Sequence, residues 1–288
     1  MTTPGREAAA GWLGAGRFAG LTPDGRQEVS ARLASIADRV VAVARVGPDD
    51  RVVDVGAGTG LLTERALPLV GRGGLVAAVD QSTGALAQIR APKVGGALCR
   101  VVGDVAALPL ETCSMDVALA RSVLIYLDDL PGAVAEIGRV LRPGGRLSVF
   151  EPVNSGRVHD ARLHGLAADE LAAIGRALAA ATSSAGAMIR FSEAALRAAA
   201  ETAGFRDVTV AHDAARQTLT GRDAVSAHLS RSSYPGAPSP LAVITDTLGA
   251  DLAARYAEAW REAVDAQGTI TYTTPTIFAT AVAGHGWT

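Results

Sequence analysis

The run Val52-Val53-Asp54-Val55-Gly56-Ala57-Gly58-Thr59-Gly60 constrains this chain more than any other segment. A short apolar stretch holds one acid, glycines follow at alternate positions, and an apolar helix-like segment begins at Leu61. Strand, tight turn and helix start, in that order, make the layout of a nucleotide-cofactor pocket. Glycine allows positive φ and lets a ligand lie against bare backbone. The spacing narrows the cofactor. A dinucleotide site uses G-x-G-x-x-G, with a helix N-terminus aimed at a pyrophosphate. Here the pattern is D-x-G-x-G-x-G, with the acid ahead of the glycines. A dehydrogenase is therefore a distant reading, and a purely structural glycine turn is the plain alternative for this stretch taken alone.

Around the turn, strand and helix patterns alternate as far as about residue 152. Strands are expected at Arg51–Val55, Leu75–Asp80, Leu98–Val102, Asp116–Ala120 and Arg146–Phe150. Helices are expected at 28–46, Leu61–Leu69, Thr83–Arg90 and Leu130–Leu141, with Arg142-Pro143-Gly144-Gly145 as the turn into the fifth strand. Such alternation predicts an α/β fold, a mostly parallel sheet with helices on both faces. Beyond Phe150 the pattern turns helical. Ala-rich helices are expected over 158–185, and Ser192 caps another that ends at Gly204. A sixth strand is expected near 207–211, more helix follows to about Gln267, and Thr269–Val282 reads as a long last strand. The expected organisation is an arm at 1–27, a cofactor-binding core at 28–152, a helical cap at 153–268 and the last core strand with the C-terminus at 269–288.

Acids recur at the strand ends. Asp80 closes the second strand and is followed by Gln81. An acid roughly 20–26 residues past the first one is placed to take both hydroxyls of a ribose, and a carboxylate has two oxygens for a vicinal diol. Its plain alternative is a helix cap, which Ser82 could equally supply. Asp104 and Val105 follow the third strand, where a turn aspartate is the alternative. Arg121 follows the fourth, where a surface arginine is the alternative. Asp128-Asp129 is better read as a helix cap at Leu130 than as a metal pair.

Taken together, the glycine turn, Asp80, Asp104, the segment Ser114–Leu124 and Gly138-Arg139-Val140-Leu141-Arg142-Pro143-Gly144-Gly145 resemble the ordered motifs of class I S-adenosylmethionine-dependent methyltransferases. Glu151-Pro152-Val153-Asn154 is similar to the small-molecule branch related to ubiquinone and menaquinone biosynthesis. The resemblance covers about residues 28–152. It implies a Rossmann-like, seven-stranded, mostly parallel sheet, with a cap built from C-terminal insertions and the last strand antiparallel beside the fifth. It implies S-adenosylmethionine as cofactor. Asp54, Gly56, Ala57, Gly58 and Gly60 would lie against the amino-acid part, Asp80 and Gln81 at the ribose, Asp104 and Val105 at the adenine. Arg121 would lie near the cofactor carboxylate or the substrate.

In-line methyl transfer draws most of its rate from positioning and desolvation, and needs a base only if the nucleophile must lose a proton. The histidines are His159, His164, His212, His228 and His285. His159 and His164, just past the fifth strand, are the candidate bases, and Tyr126 a candidate pocket residue. Each has a structural alternative. Tyr234, in a Pro/Gly turn, is a candidate gate.

Charge and cysteines limit the partners. A formal net charge of −2 gives no drive toward nucleic acid, and the Asn/Asp-Pro-Pro-Tyr motif of nucleic-acid amino-methyltransferases is replaced by Arg121-Ser122-Val123-Leu124. Two cysteines, Cys99 and Cys113, make neither a disulfide framework nor a zinc site. No metal is expected. No signal peptide or membrane span is evident. The expectation is a cytoplasmic bacterial enzyme, with a homodimer as its candidate assembly, methylating a small organic acceptor in specialised metabolism. Two alternatives keep the fold: a non-methylating reaction such as cyclisation or decarboxylation, and a catalytically silent partner subunit.

Overall fold

The structure, a computed structural model, describes residues 23–90, 95–183, 187–232 and 238–284. Most of the expected N-terminal arm, Tyr234 and His285 lie outside the described residues. In chain order the elements are α1 (Pro23–Val43), β1 (Arg51–Val55), α2 (Thr63–Val70), β2 (Leu75–Asp80), α3 (Thr83–Leu86), β3 (Ala97–Val102), β4 (Met115–Arg121), α4 (Leu130–Val140) and β5 (Leu141–Pro152). There follow β6 (Val158–His159), α5 (Ala168–Ser183), α6 (Ala187–Arg190), α7 (Glu193–Thr202), β7 (Phe205–Thr220), α8 (Gly221–Ser230), α9 (Pro240–Leu248), α10 (Ala250–Gln267) and β8 (Thr269–Ala283).

These elements form two compact units. The core unit takes its described residues from 21–153, 191–213 and 276–288, and the second unit from 154–190 and 214–275. Residues 191–213, placed in the cap by the sequence division, group with the core, because α7 packs on α4 and β7 pairs with β8.

In the core unit, β3, β2, β1, β4 and β5 lie side by side and parallel. Then comes β8, antiparallel to β5 over Arg146–Pro152, with β7 beyond it. That makes seven strands. The eighth, β6, pairs with Tyr272 and Thr273 of β8 within the second unit. The central strands read as continuous apolar runs because helices cover both faces. Val52, Val53, Val76, Val117 and Leu119 are fully buried, and Ala37, Val40 and Val41 of α1 and Ala44 just after it pack against this layer with Leu62, Ala66 and Leu67. The buried Ser148 hydroxyl donates to the Val40 carbonyl at 2.8 Å, tying α1 to β5.

Several boundaries move for physical reasons. α1 starts five residues before Glu28, since proline is tolerated in a first helical turn and Asp24-Gly25-Arg26 carries no apolar period in the sequence. The helix expected over Thr83–Arg90 is a single turn ending at Leu86, after which Ile89 turns inward and is buried. Arg142–Gly145 bulges out within β5, where the register with β4 shifts and Gly144 takes φ +82°. β7 runs far beyond 207–211. It is a mostly exposed edge strand, so polar residues such as Arg206, His212 and Asp213 break the apolar run by which a strand is recognised.

Ser192 caps α7, accepting from the Ala195 N–H at 3.1 Å. Ser192→Ala is expected to cost about 1 kcal/mol in denaturant unfolding, and Ser192→Asp to recover it.

The second unit is helical, α8, α9 and α10 packing together with α5 on α9. Its core holds Trp260, Val225, Leu229, Ile244, Tyr256 and Ile270. No described helix is long and apolar enough to cross a membrane.

Candidate functional site

In a parallel sheet of order 3-2-1-4-5, the chain leaves β1 and β4 in opposite directions, and a crevice opens at their carboxyl ends. Ligands of such folds bind at that switch point. The expected cofactor-binding residues all sit on this edge, at the ends of β1 to β4 or in the loops that follow.

The glycine turn is left-handed three times, with φ +65° at Gly56, +54° at Gly58 and +91° at Gly60. The three have different surroundings. A Cβ on Gly56 would stand 2.4 Å from Val123 Cγ2, and one on Gly60 would stand 2.8 Å from Ile89 Cγ2. A Cβ on Gly58 would meet nothing within 4 Å. Gly56 and Gly60 are thus glycines for packing, whereas Gly58 presents bare backbone to open space, as a cradle for a ligand does. The turn is anchored from β2: Ala57 N–H donates to Val79 O at 3.0 Å, and Gly58 N–H to Asp80 Oδ2 at 2.8 Å.

Asp80 holds the following loop too, its Oδ1 accepting from Ser82 N–H at 2.8 Å, while Ser82 itself caps α3 through Ala85 N–H. An ionised carboxylate offers about four acceptor positions, so these two bonds leave capacity for a diol. Gln81 is exposed beside it. Asp104 closes its own turn, with Oδ1 accepting from Ala106 N–H at 3.0 Å, and Val105 is buried. Asp54 is bonded on the far side of the turn. Its Oδ2 accepts from Thr63 N–H at 2.9 Å and Thr63 Oγ1–H at 2.6 Å, so it fixes the start of α2 and not the glycine N–H groups. It is buried in the strand, with its side chain on the helix side of the turn. Burial raises its pKa to about 6, against the Thr63 hydrogen bonds and the nearby positive charge of Arg121.

Sequence reasoning missed Glu151 as a site residue, although it stands in a quoted motif. It is fully buried near the end of β5, and Oε1 accepts from both Val123 and Leu124 N–H at 2.8 Å. Those bonds hold the β4 loop whose Val123 packs on Gly56. Burial pushes the Glu151 pKa up to about 8, opposed by these backbone bonds and by Arg121. The available signal was an acid near the end of an apolar strand, the same one that marks Asp54 and Asp80. Arg121, partly buried at the end of β4, sits close enough to lower the pKa of both buried acids.

A model described as a methyltransferase domain matches residues 53–149, from the strand before the glycine turn into β5. The chain carries a class I S-adenosylmethionine-dependent methyltransferase domain. S-adenosylmethionine is the cofactor of that domain. Among curated relatives, a demethylmenaquinone methyltransferase of Mycobacterium marinum is 38% identical over 107 residues, covering 37% of this chain and 43% of that one. A malonyl-[acyl-carrier protein] O-methyltransferase of Hahella chejuensis is 35% identical over 112 residues, covering 39% and 40%. The chain thus spans about two fifths of the length of the curated relatives it matches. Among solved structures, the YcgJ protein of Bacillus subtilis aligns with TM-score 0.52 at 15% identity, over 87% of this chain and 98% of that one. The protein solved with the Trm112 methyltransferase activator of Haloferax volcanii aligns with TM-score 0.50 at 21% identity, over 96% and 97%. These two likenesses concern the fold alone.

The methyltransferase domain does not contain every candidate. Tyr126 ends a 3-10 turn at Leu124–Tyr126 after β4, in the core unit and half-buried. His159 and His164 belong to the second unit, His164 exposed and His159 within a group of aromatic rings. His212 pairs with Glu193 on the surface of the core unit at 2.6 Å. Asp129, not Asp128, caps α4 through Gly132 N–H at 2.9 Å. Among the described residues, no three His, Cys, Asp or Glu are placed to hold a metal.

Proposed function

We propose that this chain is an S-adenosylmethionine-dependent methyltransferase of a small organic acceptor. The observation that carries the reading is the coincidence of the domain match at 53–149 with one sheet edge, where Asp80 anchors a glycine turn whose middle glycine faces open space. When bound, S-adenosylmethionine supplies an electrophilic methyl group on a sulfonium sulfur. The residues of the chain would position it. The backbone at Gly56, Ala57, Gly58 and Gly60 would line its amino-acid part, Asp80 would accept from the ribose hydroxyls beside Gln81, and Asp104 and Val105 would border the adenine. Arg121 would face the cofactor carboxylate. Asp54 would act from behind, by holding α2 to β1, and Glu151 by holding Val123 against Gly56.

By their names the two relatives methylate different acceptors, demethylmenaquinone and malonyl-[acyl-carrier protein]. Their similarity to this chain is confined to about the cofactor-binding part. The shared motifs therefore support the cofactor and the transferase chemistry, and acceptor choice must be sought in the rest of the chain. Mass spectrometry of acceptor panels incubated with the protein and S-adenosylmethionine tests the reading. Gain of one CH2 unit in an acceptor, matched by S-adenosylhomocysteine release, is expected. Conversion of an acceptor without that gain would replace the reading with a non-methylating reaction.

A further inference from the structure

We propose that the second unit contains a recognition site for a planar aromatic carboxylate, formed by Arg157, His159, His228, Trp260 and Tyr272. It rests on the methyltransferase reading above, for which it names the acceptor class.

Four elements bring rings together here. His159 of β6 lies 4.6 Å from Trp260 of α10 and 5.6 Å from Tyr272 of β8, centroid to centroid. His228 of α8 lies 4.3 Å from Tyr272. Trp260 and Tyr272 run within 6° of parallel, 5.8 Å apart. Such offset and tilted arrangements are those that aromatic rings prefer. Solvent still reaches this group. Trp260 is buried and Tyr272 and His228 are half-buried, but His159 and Arg157 are exposed.

Arg157 gives the site its charge. Its guanidinium donates to neutral oxygens, Thr274 Oγ1 at 3.0 Å and Asn154 Oδ1 at 3.4 Å. Among the described residues no carboxylate lies within ion-pair reach of it, whereas Arg139, Arg142, Arg146, Arg222 and Arg255 each have one. The surrounding protein nevertheless lowers the Arg157 pKa by desolvation, with the Tyr272 phenol opposing. A guanidinium with no carboxylate partner presents a planar fork of donors that fits one.

The imidazoles add no second charge. Burial lowers the His159 pKa, with Asp160 opposing. Burial, Arg157, Arg231 and His159 together push His228 down to about 4. Arg157 is thus the positive charge set among the aromatic faces and ring nitrogens, with Arg231 and Asp160 also within electrostatic reach. A flat monoanion matches that in shape, charge and hydrogen bonding.

The test is calorimetric titration of the full chain with salicylate and with methyl salicylate, in the presence of S-adenosylhomocysteine whose own binding is measured first. Salicylate is expected to bind about tenfold or more tightly than the ester, the size of one charge-assisted pair. Arg157→Gln is expected to bring salicylate down to the ester's affinity without moving S-adenosylhomocysteine affinity, and Arg157→Lys to fall between. Equal binding of acid and ester, no binding of either, or an Arg157→Gln protein that holds salicylate like wild type would overturn the proposal. Failure of salicylate with intact S-adenosylhomocysteine binding sinks this inference alone. Failure of S-adenosylhomocysteine with intact salicylate binding sinks the methyltransferase reading and leaves the site.

Discussion

Gly58→Ala is expected to yield a folded protein that holds S-adenosylmethionine much more weakly. The methyl group would project into space that the chain leaves open, with no neighbour within 4 Å. Its folding cost is the left-handed φ of +54° alone, about 1–2 kcal/mol. The same methyl group fills the cradle, and overpacking by one carbon costs about 1–3 kcal/mol, so cofactor affinity should fall roughly tenfold to a hundredfold. Gly56→Ala provides the contrast. Its φ is similar, +65°, but its Cβ would stand 2.4 Å from Val123 Cγ2. That variant should lose stability and affinity together, by roughly 3 kcal/mol or more in unfolding. Urea unfolding and cofactor titration of the two variants separate the effects. Equal destabilisation, or a Gly58→Ala protein with unchanged affinity, would mean that Gly58 does not face the cofactor.

Glu151 should make the protein less stable as pH rises through neutrality. Its folded pKa of about 8 lies above the ordinary 4.5. Between those values the folded protein keeps a proton that the unfolded chain has released, so stability is highest at the low end, declines as pH rises, and levels off above about pH 8. Asp54 acts in the same sense only up to about pH 6. His228, with its pKa pushed down to about 4, acts in the opposite sense only below its ordinary 6.5. The interval from pH 6.5 to 8 therefore belongs to Glu151 among these three. At most about 1.4 kcal/mol per pH unit is available, giving a loss of roughly 1–2 kcal/mol over the interval. Glu151→Gln keeps an acceptor for Val123 and Leu124 N–H and cannot ionise. Its stability should be flatter with pH than wild type, and the two curves should diverge toward pH 8. Parallel curves would show that Glu151 is already ionised at neutrality.

The parts of this molecule that could be read from sequence are those whose physics is local. β1 and β2 lie where their apolar runs place them, because a strand buried on both faces needs no partner to be recognised. The glycine turn and Asp80 were legible for the same reason, as a strand end, a turn and a helix start succeed one another along the chain. β7 was only partly legible, since an exposed edge strand carries the polar residues of a loop. Glu151 was overlooked because its role depends on Val123 and Leu124, far away in sequence and adjacent only once β4 and β5 pair. Asp54 is legible as the acid of the first strand, but its partner Thr63 is not, because a strand acid can turn to either end of its loop. The ring cluster of the second unit was invisible in sequence, its members coming from β6, α8, α10 and β8.

This edge of the sheet is expected to bind S-adenosylmethionine through Asp80 and the turn it anchors. Calorimetric titration of wild type and Asp80→Asn with S-adenosylhomocysteine tests it most directly. The account predicts micromolar binding to wild type, weakened about tenfold to a hundredfold in the variant by loss of a charged acceptor at the diol, with the variant still folded in thermal unfolding. No binding to folded wild-type protein, or equal binding to both, would contradict it.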